Sequence, residues 1–169
     1  MTRFSSAALI ALLAATPALA QDQAMSADVA DAEGNAHGTV EAMPTPSAMM
    51  HVTIDLTDVE PGTYGAHLHE TGLCEGPDFK SAGGHLASEG EEHGVMSEAG
   101  PHVGDMPNIH VPETGAITVE YFIPDLGADM IGDDDGTAFM LHAKADDLES
   151  QPSGDAGDRM LCAVLAEAE

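Results

Sequence analysis

The chain has 169 residues, 30 of them acidic and only four basic, and a formal net charge of −26 at neutral pH. Charge of that sign and size excludes nucleic acid and anionic membrane surfaces as partners by repulsion. The length suits one domain with a single core, and no internal repeat divides it.

Residues 1–20 open with Met1-Thr2-Arg3, run through an apolar stretch from Ala7 to Ala15 and end in Ala18-Leu19-Ala20. A positive start, a short apolar core and an A-x-A end read as a secretory signal peptide, cleaved before Gln21. The apolar run is too short for a bilayer of roughly 30 Å, which needs about 20 residues, so no membrane association is expected after cleavage. Loss of Arg3 leaves three basic residues, Lys80, Lys144 and Arg159, against 30 acidic ones, a charge of −27. The absence of any N-x-S/T acceptor leans towards a bacterial periplasm, with full secretion as the alternative. Residues 21–34 are small, polar and acidic, and are expected to form a flexible lead-in.

From residue 35 to 169 the pattern is all-β. Ala48, Met50, Val52, Ile54 and Leu56 alternate with Met49, His51, Thr53 and Asp55, the period-two signature of a half-buried strand. Pro61-Gly62 marks a turn, after which Tyr64 to His69 starts another strand. Residues 70–113 are rich in Gly, Glu, His and Pro and carry no periodicity, so they read as a functional loop of roughly forty residues. Alternation returns at Ile117, Val119, Tyr121 and Ile123, and again over Ala138 to Ala143. Met160 to Leu165 is a short apolar run that fits a strand, with a helix as the alternative at that length. Short strands separated by turn signals predict a sandwich or barrel. Asp133-Asp134-Asp135 and Glu89, Glu91 and Glu92 belong to a solvated acidic surface, because their spacing does not match a helix–loop–helix calcium loop.

Seven side chains suited to metal binding stand out: His67-x-His69, His85, His93, His102-x-x-Asp105 and His142. Two four-coordinate ions need eight contacts, so seven ligands suffice only if one imidazole is shared through its two nitrogens. His67 and His69 lie two apart on a predicted strand and point to one face, where they can converge on one ion. His142 joins them only through the fold. His102 and Asp105, three apart, suit a tight turn around a second ion. Three imidazoles with one carboxylate suit zinc, and an all-imidazole site with an open position suits copper. His85, first in the loop after the strand pair, is the natural bridge. His37, His51 and His110 fall outside the pattern. Cys74 and Cys162 allow one disulfide, the default after export, worth about 4 to 5 kcal/mol on the chain-entropy account. A pair of thiolate ligands is the weaker alternative.

Gly65-Ala66-His67-Leu68-His69-Glu70, Gly83-Gly84-His85, Gly100-Pro101-His102-Val103-Gly104-Asp105, Leu141-His142-Ala143-Lys144-Ala145-Asp146-Asp147-Leu148 and Gly154-Asp155-Ala156-Gly157-Asp158-Arg159-Met160-Leu161-Cys162 together resemble copper–zinc superoxide dismutase. The resemblance implies an eight-stranded Greek-key β-barrel, a superoxide dismutase-like sandwich with long metal-binding loops, over residues 35–169. It implies copper on His67, His69, His85 and His142, and zinc on His85, His93, His102 and Asp105. It further implies a Cys74–Cys162 disulfide, Arg159 as the residue that positions the anion, His85 as the bridging catalytic imidazole, and Asp146 linking His67 to His93. The implied reaction converts two superoxide anions and two protons to dioxygen and hydrogen peroxide by Cu(II)/Cu(I) cycling, and is compatible with a homodimer. A copper-delivery or metal-binding module on the same barrel is the alternative function. Ala66, Leu86-Ala87-Ser88 and Ala163 depart from common family choices without removing a ligand. The segment from Leu148 to Asp158 is short and has no lysine, where many relatives carry basic residues.

Overall fold

The computed structural model describes residues 24–169, so the expected signal peptide lies outside the described residues. Eight strands follow in order: β1 Met25–Ala30, β2 Ala36–Pro44, β3 Met49–Leu56, β4 Gly62–His69, β5 Asp105–Val111, β6 Ile117–Pro124, β7 Thr137–His142 and β8 Arg159–Ala166. They form one antiparallel sheet in the order β5-β4-β7-β8-β1-β2-β3-β6. The free edges β5 and β6 are adjacent in sequence, and the Tyr121 hydroxyl of β6 donates to the Pro107 carbonyl of β5 at 3.1 Å. The sheet is thus a nearly closed barrel. Its β3-to-β4 and β6-to-β7 connections cross to non-neighbouring strands, as in a Greek key.

Alternation explains the interior. Met50, Val52, Ile54 and Leu56 on β3 are fully buried, and the intervening residues face outward. Burial of a side chain of this size contributes about 1.5 to 3 kcal/mol. An Ile54→Ala change should therefore cost about 2 to 5 kcal/mol by leaving a cavity. The C-terminal apolar run is a strand, paired along β7 from Thr137↔Ala166 to His142↔Arg159.

The lead-in expected over residues 21–34 is corrected by β1. Met25–Ala30 pairs with β2 from Met25↔Ala42 to Ala30↔Ala36, with Val29 fully buried. Its inward face is built largely of small residues, so the alternation was faint. β2 was equally faint, because only Val40 and Ala42 of its nine residues are buried. The irregular stretch expected over residues 70–113 ends earlier, at Gly104, where β5 begins. A register shift opposite Tyr64 and Ala66 pairs Tyr64 with Ile109 but Ala66 with Met106. That bulge turns Met106 and Ile109 inward at odd spacing and erases period two.

Two long connections cover one outer wall of the barrel: loop A, residues 70–104, and loop B, residues 143–158. Ala66 and Leu68 of β4 and Phe139 and Leu141 of β7 enter the core. The alternating His67, His69 and His142 therefore project from the opposite face, yet all three are buried beneath the loops. The Cys74–Cys162 disulfide, closing a separation of 88 positions, ties loop A to β8. Under it Phe79, Ala82, Ala138, Met140 and Cys162 form a small second core. Export and this bond agree.

Candidate metal centre

All seven sequence-predicted ligands meet under the two loops. One ligand atom each from His67, His69, His85 and His142 lie within 4.8 Å of one another, and so do atoms from His67, His85, His93 and Asp105. These are the sole groupings of that kind among the described residues. His37, His51 and His110 lie elsewhere, bonded to Thr57 and Asp31, to Glu120, and to Thr63.

Four of the imidazoles are oriented by the nitrogen they do not offer. His67 Nε2 lies 2.8 Å from Asp146 Oδ2 and His93 Nε2 lies 3.0 Å from Asp146 Oδ1. His69 Nδ1 donates to the Gly83 carbonyl at 3.2 Å, and His142 Nδ1 to the Gly157 carbonyl at 3.4 Å. Such partners fix the tautomer and aim the other nitrogen. The nitrogens left over face inward: His67 Nδ1, His85 Nε2, His93 Nδ1 and His102 Nδ1 are buried without a hydrogen-bond partner. His69 Nε2 and His142 Nε2 face each other at 3.4 Å. Buried unsatisfied nitrogens are costly, and converging lone pairs of this kind fit metal ions.

A second carboxylate organises the other side. Asp105 Oδ1 lies 2.8 Å from His85 Nδ1 and 3.4 Å from His102 Nδ1, while Oδ2 lies 3.1 Å from His93 Nδ1. Asp105 Oδ2 also accepts the Gly94 and His102 backbone N–H groups at 2.9 and 3.0 Å. His67 and His85 both belong to the two groups by position. His67 Nε2 is held by Asp146, whereas His85 turns Nδ1 to Asp105 and leaves Nε2 without a partner. His102 Nδ1, also buried and unpartnered, stands beside the second group.

Burial keeps the rings neutral, the state that can bind metal. It pushes His69 down to about 2, helped by His85, Arg159 and His142. It pushes His142 down to about 3, helped by His67 and other neighbours. It also pushes His85 down to about 4, against the pull of Asp105. For Asp146 burial acts upwards, but hydrogen bonds from His67, His93 and the Leu148 N–H outweigh it and hold the carboxyl at about 2. The same balance, with His85 and the Gly94 N–H as donors, holds Asp105 well below the usual carboxylate range.

A pocket of about 330 Å³ opens the first group to solvent, lined among others by His69, His85, His142, Ser153 and Arg159. The Arg159 guanidinium is braced by the Phe79 carbonyl at 2.6 Å and the Gly83 carbonyl at 2.5 Å. Outside it, Arg159 and Lys80 share a vestibule with Asp78 and Asp158. Two cations against two anions make this mouth neutral on a strongly acidic protein.

Three supporting residues were given no role by the sequence. The Asn108 side chain clamps the Asp146 backbone, accepting its N–H and donating to its carbonyl, both at 2.8 Å. Gln151 does the same for the His93 backbone. Gly154 adopts φ 65°, and a Cβ there would stand 1.8 Å from Asp146 Oδ1 and 2.6 Å from His93 Nε2. None belongs to a metal-ligand residue pattern, although Asn108 lies only three positions after Asp105.

Residues 34–165 match the family described as copper/zinc superoxide dismutase. The chain is 35% identical to superoxide dismutase [Cu-Zn] 1 of Aquifex aeolicus, over 87% of this chain and 90% of that protein. It is 38% identical to the superoxide dismutase [Cu-Zn] of Caulobacter vibrioides, over 79% and 80% respectively. A superoxide dismutase-like protein from Bacillus subtilis superposes with a TM-score of 0.79 at 34% identity, covering 83% of this chain and 97% of that one.

Proposed function

The chain belongs to the copper/zinc superoxide dismutase family, and from that membership we propose how its side chains divide between two ions and act on superoxide. The protein is a superoxide dismutase, an oxidoreductase that converts two superoxide anions and two protons to dioxygen and hydrogen peroxide. His67, His69, His85 and His142 hold copper, and His85, His93, His102 and Asp105 hold zinc. One observation carries this reading above the others. His85 presents Nδ1 to the carboxylate of one set and a buried, unpartnered Nε2 on its other side.

Copper held by the first set would supply the one-electron couple that the reaction needs, and zinc held by the second would supply a fixed positive charge. The remaining work belongs to the chain. Arg159, braced through two of its N–H groups, presents the others to an anion in the pocket. His85 Nε2, on the wall of that pocket, is placed to hold a proton whenever it is not bound to a metal, and to release it to the reduced product. Asp146 and the Gly83 and Gly157 carbonyls keep the other rings aimed throughout. Loops A and B exclude water from all but the pocket side.

A copper-delivery module would need no guanidinium over the pocket, and no observation favours that reading. The signal-like start and the disulfide support export, with the periplasm as the proposed compartment, and the acidic surface argues against nucleic acid and membrane partners. A homodimer is the assembly to seek by sedimentation. The central test is metal analysis of purified protein with a superoxide assay on wild type and Arg159→Ala. The expected result is one copper and one zinc in both, with most of the rate lost in the variant. An unchanged rate in Arg159→Ala, or protein that never acquires both metals, would overturn the reading.

A further inference from the structure

Among the zinc-side residues, His93 stands apart in how its main chain is held. Asp105 opens strand β5, and His85 forms a β-bridge with His69. His102 sits in a turn closed by the Asp105 N–H on its carbonyl at 3.1 Å. His93 lies mid-loop, fully buried, and its backbone is held by a side chain 58 positions away. The His93 N–H donates to Gln151 Oε1 at 2.9 Å, and Gln151 Nε2 donates to the His93 carbonyl at 2.9 Å. Gln151 Nε2 also reaches Ser97 Oγ and the Glu149 carbonyl, each at 3.0 Å. The Ser97 hydroxyl in turn donates to the His93 carbonyl at 2.5 Å.

This arrangement demands an amide. A fixed donor and a fixed acceptor must sit side by side, as in a peptide group, and only Gln and Asn side chains offer both in one plane. Glu would turn an acceptor towards the His93 and Glu149 carbonyls, and Asn is one methylene too short. Gln151 leads directly into Pro152 and Ser153, which line the pocket beside Arg159. Gly154, three residues on, packs against the same His93 ring and Asp146 carboxylate. Loop B therefore grips His93 at both its ring and its main chain.

We infer that Gln151 is a positioning residue for His93, tying the zinc half of the centre to the rim of the substrate pocket. It fixes the His93 Cα, while Asp146 fixes the ring, so the imidazole has no remaining freedom except small libration. Through it the position of the pocket rim and that of a zinc ligand are one mechanical unit. The inference rests on the assignment of His93 to zinc proposed above.

The test compares metal-loaded wild type with Gln151→Leu, which removes the clamp, and Gln151→Glu, which keeps only its acceptor. Asp155→Asn, at an exposed position of the same loop away from His93, is the control. Zinc release to a chromophoric chelator should be about tenfold faster in both Gln151 variants, the scale at which partners of metal-bound residues act. The control should match wild type. With Co²⁺ loaded in place of zinc, the visible ligand-field bands should shift in both variants. Copper retention should stay at its wild-type value. Wild-type zinc release and cobalt bands in both variants would overturn the inference while leaving the ligand assignment standing. So would copper and zinc loosening together with a lowered melting temperature, which marks general destabilisation. Wild-type protein that holds less than one zinc would sink the ligand assignment, and this inference with it.

Discussion

His85 Nδ1 stands 2.8 Å from Asp105 Oδ1, and the same ring leaves Nε2 buried with no partner on its other side. On the proposed division of ligands, this imidazole joins two half-sites that arrive from different parts of the chain. His85→Gln should leave three residues for each ion, so metals still bind but communication between the halves is lost. The superoxide dismutation rate per bound copper should fall about 100-fold, the lower range for removing a proton-transferring group. A rate per copper within threefold of wild type would refute the role given to Nε2.

Asp146 orients His67 and His93 together, so its loss should be felt on both sides of the bridge. Asp146→Ala is expected to weaken zinc and copper binding by about 10- to 100-fold, read by chelator competition. Asp146→Asn keeps one acceptor but turns an NH₂ towards the other ring, and should fall between the two. Weakening of one metal alone would show that only one of the two hydrogen bonds matters.

The metal-free protein should lose stability as pH falls. His85, His142 and His69 are held neutral in the fold, with values of about 4, 3 and 2, against an unfolded value of 6.5. Below pH 6.5 the unfolded chain therefore binds more protons than the folded one, and protonation pulls the equilibrium towards unfolding. The decline should begin near pH 6.5 and continue to about pH 2. Asp146, at about 2 in the fold against 3.8 unfolded, adds a further loss below pH 4 with the same sign. Thermal melts of chelator-treated protein across this range test it, and a melting temperature that is flat from pH 7 to 4 would contradict it.

The disulfide should matter for rate as well as for stability. Removing it by Cys74→Ser with Cys162→Ser should cost about 4 to 5 kcal/mol for a loop of this length. The Phe79 and Gly83 carbonyls that brace Arg159 lie in the tethered loop. The rate per bound copper should therefore fall with the melting temperature. Calorimetry and a per-copper assay separate the effects, and an unchanged rate per copper would show that the loop keeps its place unaided.

Substrate approach should not depend on long-range attraction. The pocket mouth sets Lys80 and Arg159 against Asp78 and Asp158, while the whole chain carries −26. Salt screens charges beyond about 8 Å at physiological strength and so removes mainly repulsion. The dismutation rate should stay level or rise as sodium chloride is added. A steep fall would show that attraction at the mouth dominates.

Much of the fold was legible wherever one strand face carried large apolar residues. β3 showed its alternation openly, and so did β6 and β7. β1 and β2 did not, because Ala27, Val29, Val40 and Ala42 give too little contrast with their polar neighbours. β5 was hidden by its bulge, which places Met106 and Ile109 on the same side at a spacing of three. Alternation is visible only where pairing is regular and inward residues are large.

The ligands were legible because their chemistry is local: an imidazole or carboxylate is a metal ligand by its own atoms, and strand geometry alone puts His67 and His69 on one face. Asn108 and Gln151 were not, because an amide is ordinary until it meets the backbone it clamps. The sequence by itself determined which residue types can bind metal, and that seven such side chains serve two four-coordinate ions only by sharing one ring. Only the tertiary structure decided which nitrogen each ring offers, since that depends on a partner arriving from elsewhere: Asp146 for His67 and His93, Gly83 for His69, Gly157 for His142. The free nitrogen is whichever one the fold leaves unbonded.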